Sequence, residues 1–397
     1  MGSKTLGFSI LIFICVGFTY TWSVFAVPLT ELLGRKLTEV TLTYTIGILT
    51  FAVITIASGR IQDRFGPVLA VRIGAFLFGG GLILCGFISS LIWLYICYGI
   101  VAYSGAGLVY CAVLMNINNF YPEKKGAVSG LLTAGYGFSA VLFSPAAAFL
   151  IDTFSILTAY KIIGAFFFLM LTFSSFFIKK APVPETTAIL GNSESSVIDM
   201  TWGQMIKSPV FYMIYSLMAA GSTAGLMIIG QASVLAQGMM GADISKAALT
   251  VSVIAGANTL GRIVWGGMSD RIGRINTLHF IFSISASMMF GLSCINNRQY
   301  ALFVILTMLI AFCYGGIMGT FPALVTDHFG AKNNGTNYAV ILSGISVGAL
   351  IGPLSAAWTQ TLTPGNYNTA FYISSTLSFI GVVLTFMLRK KSSADRA

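Results

Sequence analysis

The chain has 397 residues, of which 56% are hydrophobic and only 9% are charged, and its formal net charge is +10. Soluble domains usually carry about a quarter charged residues, so this composition excludes a water-soluble globular class and favours an integral membrane protein. A positive net charge can indicate a nucleic-acid partner, but in a membrane protein it commonly reports orientation, which the positions of the charges can test.

Twelve apolar runs along the chain are long enough to cross a bilayer, which needs about 20 residues of helix. The runs lie near residues 6–29, 41–61, 68–89, 91–119, 126–151, 156–178, 209–237, 244–269, 275–294, 300–326, 335–360 and 367–388. The first run follows Lys4 and is too long for the apolar part of a signal peptide, so we interpret it as a retained first helix. The sequence predicts an all-α membrane protein with twelve transmembrane helices.

The lysines and arginines are distributed unequally between the two sides of the predicted membrane. An even number of spans places both termini on one side, and 16 of the 22 basic residues fall on that side. Five fall on the other side, and Arg262 alone falls within a span. Because basic loops stay in the cytoplasm, we predict cytoplasmic termini in a plasma (inner) membrane. Topology then explains the positive charge, and a nucleic-acid partner is not expected.

One polar segment, residues 181–208, separates the first six spans from the last six. It contains Pro, Ser, Gly and acidic residues, and we interpret it as a cytoplasmic linker in which TWGQMIKSP forms a short surface helix. The predicted organisation is an N-terminal six-helix bundle at residues 1–180 and a C-terminal six-helix bundle at residues 209–397. The six cysteines lie in apolar runs without metal-ligand spacing, so we predict no metal site and no cofactor.

The two halves of the chain repeat each other. GRIQDRFGP (Gly59–Pro67) follows the second span and GGMSDRIGR (Gly266–Arg274) follows the eighth, and both contain G-x-x-x-D-R-x-G with an offset of 207. FYPEKKG after the fourth span likewise matches FGAKNNG after the tenth, with an offset of 209. Two independent matches at nearly one offset indicate a duplicated six-helix unit, so the two bundles are expected to be pseudo-symmetric.

The doubled G-x-x-x-D-R-x-G loops resemble the cytoplasmic gate motif of the major facilitator superfamily of transporters. The resemblance covers the whole chain and implies two six-helix bundles that rock around a central cavity. It also implies that Asp63 and Arg64, with Asp270 and Arg271, gate the cytoplasmic side. An aspartate and an arginine at helix ends can form a charge-assisted pair that breaks when the bundles move.

A narrower resemblance links the chain to the oxalate/formate antiporters and the monocarboxylate (lactate and pyruvate) transporters. The similar stretches are GFTYTWSVFAVPL, GAGLVYCAVLMNINNFYPEKKGAVSG, LLTAGYGFSA and NTLGRIVWGGMSDRIGR. The last stretch carries an arginine in the eighth span, Arg262, eight residues before Asp270, as that branch does. The resemblance implies that a small carboxylate anion is the substrate.

The depth of Arg262 in the membrane supports this interpretation. Eight residues of helix place it about 12 Å from the membrane edge marked by Asp270, close to the middle of a hydrocarbon core about 30 Å thick. Facing lipid there costs roughly 3 kcal/mol or more, so the side chain should face the interior.

No acidic residue is predicted near Arg262. All twelve aspartates and glutamates fall at span ends or in loops. A carboxylate from outside the protein is therefore the expected partner, since a guanidinium pairs with a carboxylate through two parallel hydrogen bonds. The alternative is an arginine that is satisfied by backbone carbonyls, water and aromatic faces.

Asn258 lies one turn before Arg262 and on the same face of the helix. It can orient the guanidinium or donate a hydrogen bond to the substrate. In human-type monocarboxylate transporters an acid commonly occupies this turn and is implicated in proton coupling, so an asparagine puts that route in doubt. The resemblance also implies that four tyrosines line the cavity: Tyr20, Tyr110, Tyr136 and Tyr314.

One departure from the branch concerns the number of cations. The oxalate exchanger has a lysine in its eleventh helix where this sequence has Ile345. A dianion in a cavity with a single cation would be undercompensated by one charge. We therefore expect a monocarboxylate such as lactate, pyruvate, formate or a short-chain acid, and we expect oxalate to be a poor substrate.

The predicted function is secondary active transport of small monocarboxylates by alternating access, coupled to protons, in a monomeric carrier. The alternatives are an oxalate/formate-type anion exchanger and, within transporters, an exporter of amphipathic drugs, which would not need a deep arginine. A membrane enzyme would need clustered carboxylates or metal ligands in the spans, and a receptor would need a soluble signalling domain. Neither feature is evident in the sequence.

Overall fold

The computed structural model describes residues 2–121, 125–181, 199–330, 333–363 and 365–394, with side chains outside the description at residues 59–65, 115, 118, 119, 125–127, 129, 334, 335 and 391–394. Two predictions therefore lie outside the described residues. They are the side chains of Asp63 and Arg64, assigned to a gate, and most of the linker, residues 182–198.

Every regular element of the described chain is helical. The α-helices are α1 (Gly2–Val16), α2 (Trp22–Leu33), α3 (Leu37–Phe65), α4 (Pro67–Cys85), α5 (Leu91–Leu94), α6 (Tyr103–Phe120), α7 (Lys125–Thr153), α8 (Ile156–Ser175), α9 (Trp202–Met205), α10 (Pro209–Met240), α11 (Ile244–Ile272), α12 (Arg274–Ser293), α13 (Tyr300–Phe329), α14 (Asn334–Leu342), α15 (Ile345–Leu362) and α16 (Asn368–Ala394).

Twelve segments of the described chain are long and apolar enough to cross a membrane. They are Ser3–Leu33, Leu37–Ser58, Pro67–Cys85, Leu91–Leu114, Gly130–Thr153, Ile156–Ser175, Pro209–Met240, Ile244–Ile272, Arg274–Ser293, Tyr300–Phe329, Thr336–Leu362 and Asn368–Lys390. The prediction of a twelve-helix, multi-pass membrane protein is confirmed. Below, the membrane side that carries both termini is called the terminal side, and the opposite side is called the distal side.

The helices form two six-helix bundles that meet along two pairs of long helices. In one pair α3 packs against α15, and in the other α7 packs against α11. At the periphery α4 packs on α8 in the first bundle, and α12 packs on α16 in the second. The central helices therefore line the surface between the bundles, where a buried charge can lie away from lipid.

The repeated glycine of the two loops has a structural explanation. Gly66 has φ 82° and ψ 169°, and Gly273 has φ 87° and ψ 150°, so both adopt the same positive-φ conformation between consecutive helices. A residue with a Cβ is strained there. The duplicated sequence thus produces the same sharp reversal after α3 and after α11, which accounts for the pseudo-symmetry of the halves.

Two spans are not uninterrupted α-helices, a feature that the apolar pattern did not reveal. A 3₁₀ segment, Gly17–Thr21, separates α1 from α2, and a π-helical segment, Tyr95–Ala102, separates α5 from α6. At Gly17 a Cβ would lie 2.7 Å from the Cβ of Ser139 and closer still to the Tyr136 carbonyl oxygen. Glycine thus lets the 3₁₀ segment approach α7 closely.

The predicted short helix before the seventh span is confirmed as α9. Thr201 and Gln204 form a capping box at its start, which satisfies free backbone N–H groups at the helix end. Just before it, the Met200 carbonyl accepts hydrogen bonds from the side-chain amides of Asn337, at 2.9 Å, and Asn333, at 3.3 Å. The end of the linker is therefore fastened to the second bundle.

The start of the linker is fastened to the first bundle in the same way. Asn116 Nδ2 donates to the Lys179 carbonyl at 2.9 Å, and the Ala181 backbone N–H donates to Asn116 Oδ1 at 2.9 Å. The Asn116 side chain thus supplies one hydrogen-bond donor and one acceptor to the backbone that follows α8.

Candidate substrate site

Arg262 lies in α11, ten residues before its end, and is 4% exposed, and Asn258, one turn earlier, is fully buried. Arg262 Nε donates to Asn258 Oδ1 at 3.2 Å, and Asn258 Nδ2 donates to the Ala311 carbonyl at 3.1 Å. The asparagine is held by α13 and in turn orients the guanidinium. The predicted orienting contact of Asn258 is present, and its role toward substrate stays a prediction.

Glycines on both helices allow α11 and α13 to approach closely at this level. A Cβ at Gly261 would lie 2.8 Å from the carbonyl carbon of Phe312. A Cβ at Gly315 would lie 3.0 Å from the Arg262 backbone nitrogen and closer to the Asn258 carbonyl oxygen. Small residues let helix backbones meet in membranes, and this contact brings the Ala311 carbonyl within reach of α11.

The first half of the chain contributes Tyr20 to the site. Arg262 Nη2 donates to the phenol oxygen of Tyr20 at 3.3 Å, so the hydrogen bond joins the two bundles. Tyr20 belongs to the 3₁₀ segment, and the preceding residue, Thr19, shares a 2.6 Å hydrogen bond with the Tyr136 hydroxyl. The interruption of the first span thus positions a phenol opposite the arginine.

Tyr110 and Tyr136 lie beside Tyr20 in the first half. The rings of Tyr20 and Tyr136 are 5.1 Å apart at 82°, and those of Tyr110 and Tyr136 are 5.6 Å apart at 89°. Both are edge-to-face contacts, which favour ordered aromatic packing. The phenols of Tyr110 and Tyr136 are within electrostatic interaction distance of Arg262.

Tyr314 completes the predicted set from α13. Its hydroxyl is fully buried and close to Tyr20 and Arg262, and in the described part of the chain it forms no hydrogen bond of ordinary geometry. Buried hydroxyls in proteins are nearly always hydrogen-bonded, so the unpartnered Tyr314 hydroxyl is available to a ligand. The six residues predicted to bind substrate are brought together at the interface between the bundles.

Two further polar residues at the interface between the bundles were not predicted. Tyr338, in α14, lies within electrostatic interaction distance of Tyr110 and Arg262. Gln231, in α10, is fully buried and donates through Nε2 to Thr41 Oγ1 at 3.1 Å. In the sequence these two residues stand out only as polar side chains inside apolar runs. Several other polar residues have the same setting.

The arginine has neutral partners but no acidic one among the described residues. The described salt bridges involve Arg274 with Asp270 and Asp327, and neither includes Arg262. A guanidinium has five N–H donors, and the described hydrogen bonds of Arg262 use two of them. The other three donors and the Tyr314 hydroxyl can serve an anion.

The hydrogen bonds that join the two bundles in the described chain lie at the level of Arg262 or on its distal side. Thr38 Oγ1 and Thr361 Oγ1 are 2.8 Å apart near the distal ends of α3 and α15. Two turns deeper, Thr45 Oγ1 donates to the Ala349 carbonyl at 3.1 Å. The distal side is therefore closed by direct contacts between the halves.

The predicted gate residues of the second half lie at the terminal end of α11. Asp270 pairs with Arg274 at 2.5 Å rather than with its neighbour Arg271, which is exposed. Arg274 is the first residue of α12, and the turn at Gly273 brings its guanidinium to the Asp270 carboxylate near the end of α11. The observed pair belongs to one half only, so a gating role for Asp270 and Arg271 stays a prediction.

The chain is similar to several known transporters over most of its length. The family model described as Major Facilitator Superfamily matches residues 8–353 and 280–397. The uncharacterized transporter YhjX of Escherichia coli (strain K12) is 30% identical, covering 84% of this chain and 82% of YhjX. The oxalate:formate antiporter of Oxalobacter formigenes is 27% identical, covering 94% and 88%.

Monocarboxylate transporter 13 of Bos taurus is 22% identical, covering 82% of this chain and 75% of that protein. Among solved structures, a bacterial homologue of the human lysosomal transporter Spinster, in an inward-facing and occupied conformation, superposes with a TM-score of 0.74. The two share 15% sequence identity over 98% of this chain and 97% of the other, and this likeness shows the fold. With the family model and the relatives agreeing over most of the sequence, the chain belongs to the Major Facilitator Superfamily.

Proposed function

We propose that the protein carries small monocarboxylates across the membrane by alternating access and that Arg262 holds the carboxylate. One observation carries the proposal: a permanently charged side chain, 4% exposed, lies between the bundles without a salt bridge to a described acid. A buried charge is costly unless it is paired, and a carboxylate cargo supplies the missing charge. Two relatives are named for oxalate, formate or monocarboxylates, which supports this substrate class.

In the alternative, the guanidinium of Arg262 is satisfied by backbone carbonyls, water and aromatic faces and binds no cargo. This alternative agrees less well with the contacts. Asn258 and Tyr20 accept hydrogen bonds from the guanidinium, but both are neutral side chains. They orient the charge and do not neutralise it. The unpartnered hydroxyl of Tyr314 beside the same guanidinium also favours a ligand that completes the site.

A monocarboxylate suits the site better than a dicarboxylate. Ile345, at the position where the resemblance to the oxalate exchanger implies a lysine, is 8% exposed and cannot carry charge. Arg262 then faces the cargo as a single cation, and the second charge of oxalate would stay uncompensated. We therefore propose lactate, pyruvate, formate or a short-chain acid as cargo and oxalate as a poor substrate.

The coupling mode has two candidates. Proton symport was expected, but it requires a group that titrates, and the described histidines, His279 and His328, lie near the ends of α12 and α13 rather than beside Arg262. Exchange of one anion for another is the second candidate. It is favoured because the charge of Arg262 is neutralised only while cargo is bound, so the loaded carrier should reorient more readily than the empty one.

For the orientation, we propose that the terminal side is cytoplasmic and that the membrane is the plasma (inner) membrane. The support is the excess of Lys and Arg on that side, as the positive-inside rule requires. The division into bundles at residues 1–180 and 209–397, joined by the linker, belongs to the same proposal, as does a monomeric carrier.

Uptake of labelled lactate and pyruvate into proteoliposomes tests the function. Arg262→Gln should reduce specific uptake at least tenfold, whereas Arg298→Gln, at an exposed arginine in a distal loop, should leave it unchanged. Unchanged uptake by folded Arg262→Gln protein would refute the proposal. Loading the vesicles with unlabelled anion, with and without a pH gradient, separates the coupling modes: exchange needs internal anion, and symport needs the gradient.

A further inference from the structure

The two halves carry matching side chains in the grooves at their periphery. One peripheral groove lies between α4 and α8 in the first bundle, and the other lies between α12 and α16 in the second. The corresponding residues are Arg72 and His279, at the offset of 207 that relates the repeated loops, and Ser175–Phe176 and Thr385–Phe386, at an offset of 210. The duplication thus places a basic side chain, a hydroxyl and a phenylalanine in each groove.

In the first groove the basic side chain is held from one side. Arg72 Nε donates to Ser175 Oγ at 3.4 Å, and the guanidinium carbon lies 5.2 Å from the centre of the Phe176 ring. The serine is buried, whereas the phenylalanine is 66% exposed. A guanidinium has five N–H donors, and the described salt bridges do not include Arg72. The guanidinium therefore retains donors for an anion.

The second groove repeats this arrangement with a histidine. His279 Nδ1 and Thr385 Oγ1 share a hydrogen bond of 3.0 Å, and the imidazole centre lies 4.6 Å from that of the Phe386 ring. A cavity of about 30 Å³ lies here, lined by Ile275, Asn276, His279, Thr385, Phe386 and Arg389. This volume holds about two water-sized groups, which is enough for two oxygens of a phosphate whose remainder lies outside the cavity.

Both basic side chains lie at the depth of lipid headgroups. Arg72 and His279 each follow the first residue of their span, Pro67 or Arg274, by five residues, which is about 7.5 Å of helix. Both helices begin on the terminal side, and helix side chains lean toward the N-terminus. The two groups are therefore directed toward the headgroups of the terminal-side leaflet. A charge at the lipid face is costly unless it reaches such a partner.

Further basic residues recur beside both grooves. Lys179 and Lys180 follow α8, and Arg389 and Lys390 occupy the corresponding positions in α16, again at an offset of 210. All four are exposed. Basic clusters next to a span attract anionic lipids, and the described side chains that line the second cavity include no acid. The charges thus favour a lipid with a net negative charge over a zwitterionic one.

We propose that each peripheral groove binds the phosphate of an anionic phospholipid from the terminal-side leaflet, on Arg72 in the first half and on His279 in the second. Membrane orientation accounts for basic residues on this side, but not for the hydroxyl and the phenylalanine that recur beside them. Arg72 should bind more tightly, because a guanidinium presents two parallel donors to a phosphate, whereas His279 has one ring nitrogen engaged with Thr385. Each groove lies within one bundle, so both lipids stay bound while the bundles move.

Native mass spectrometry of the detergent-purified protein tests this by counting bound lipids. The probes are phosphatidylglycerol, which is anionic, and phosphatidylcholine with the same acyl chains. The wild-type protein should bind two phosphatidylglycerol molecules at least fivefold more tightly than phosphatidylcholine. Arg72→Gln should weaken the tighter of the two about fivefold, the usual contribution of one basic residue near an anionic lipid surface. His279→Arg should tighten the weaker one at least threefold.

A matched control separates the grooves from net charge. Lys207→Gln removes an exposed charge between α9 and α10 and should leave both affinities unchanged. Glycerol 3-phosphate, the free headgroup, should not raise Tm at concentrations at which phosphatidylglycerol does. The proposal is overturned by equal binding of the two lipids, by wild-type affinities in both Arg72→Gln and His279→Arg, by equal weakening in Lys207→Gln, or by equal stabilisation with glycerol 3-phosphate.

Discussion

Gln231 in the second half and Thr41 in the first half form a buried hydrogen bond of 3.1 Å across the interface of the bundles. The Gln231 side chain also donates to the Pro353 carbonyl at 3.4 Å, and its Oε1 has no partner among the described residues. Together with the contact between Thr38 and Thr361, this bond closes the distal side. Alternating access requires these contacts to break, since the distal side must open for the cargo to pass.

Cross-linking the distal side should therefore stop transport. Thr38 and Thr361 have hydroxyls 2.8 Å apart, and paired cysteines with side chains this close can form a disulfide. In a Cys294→Ser background, which removes the exposed native cysteine, Thr38→Cys with Thr361→Cys should lose at least 90% of carboxylate uptake on oxidation. Reductant should restore it. Full uptake by quantitatively cross-linked protein would contradict the alternating opening of this side.

Removal of the Tyr20 hydroxyl should tighten cargo binding. In the free carrier the phenol oxygen accepts a hydrogen bond from Arg262, and losing a buried hydrogen bond costs about 1 kcal/mol. Tyr20→Phe should therefore lower the Tm of the free protein and lower KM several-fold, because the cargo no longer competes with the phenol. Tyr212→Phe, at an exposed ring of α10, is the control. A raised KM would show instead that the phenol contacts the cargo.

An acid at position 258 should compete with the cargo for the guanidinium. Asn258 Oδ1 is 3.2 Å from Arg262 Nε, so Asn258→Asp places a carboxylate in direct contact with the arginine. At pH 7.5 the KM for lactate or pyruvate should rise at least tenfold, and it should recover toward wild type as pH falls and the new carboxylate is protonated. Asn296→Asp, in an exposed distal loop, should change neither. Normal KM in Asn258→Asp would contradict competition between a carboxylate at this position and the cargo.

Adding a methyl group where α11 and α13 meet should disturb the site without changing any polar residue. At Gly315 a Cβ would lie 3.0 Å from the Arg262 backbone nitrogen, so Gly315→Ala should separate the helices and draw the Ala311 carbonyl away from Asn258. Uptake should fall at least tenfold and Tm by several degrees. Gly267→Ala, where a Cβ meets nothing within 4 Å, is the matched control. Equal behaviour of the two variants would contradict this packing argument.

The features that sequence patterns could predict are those governed by local composition. Span length, the excess of basic residues on one side and the repeated glycines at Gly66 and Gly273 depend on a few neighbouring residues. The depth of Arg262 followed from counting residues back from Asp270. The shared helix face of Asn258 and Arg262 followed from the period of the helix.

The features that sequence patterns did not predict depend on contacts between distant segments. Gly17–Thr21 is less apolar than the rest of its span, but its 3₁₀ geometry depends on close approach to Tyr136 and Ser139. Gln231 is one polar residue in a long apolar run, and its role at the distal contact depends on Thr41, 190 residues away. The pairing of Asp270 with Arg274 depends on the turn at Gly273, whereas the repeated motif contains only Arg271 beside Asp270.

Two asparagine side chains, Asn116 and Asn337, hold the backbone at the two ends of the segment that connects the bundles. Asn116 fixes the chain up to Ala181, and Asn337 fixes it from Met200 onward. The intervening residues, 182–199, could extend about 60 Å at most. A connection of that length sets only an upper limit on the distance between the two ends that it joins. Within the described residues, the contacts of α3 with α15 and of α7 with α11 hold the bundles together, much as an interface holds two subunits.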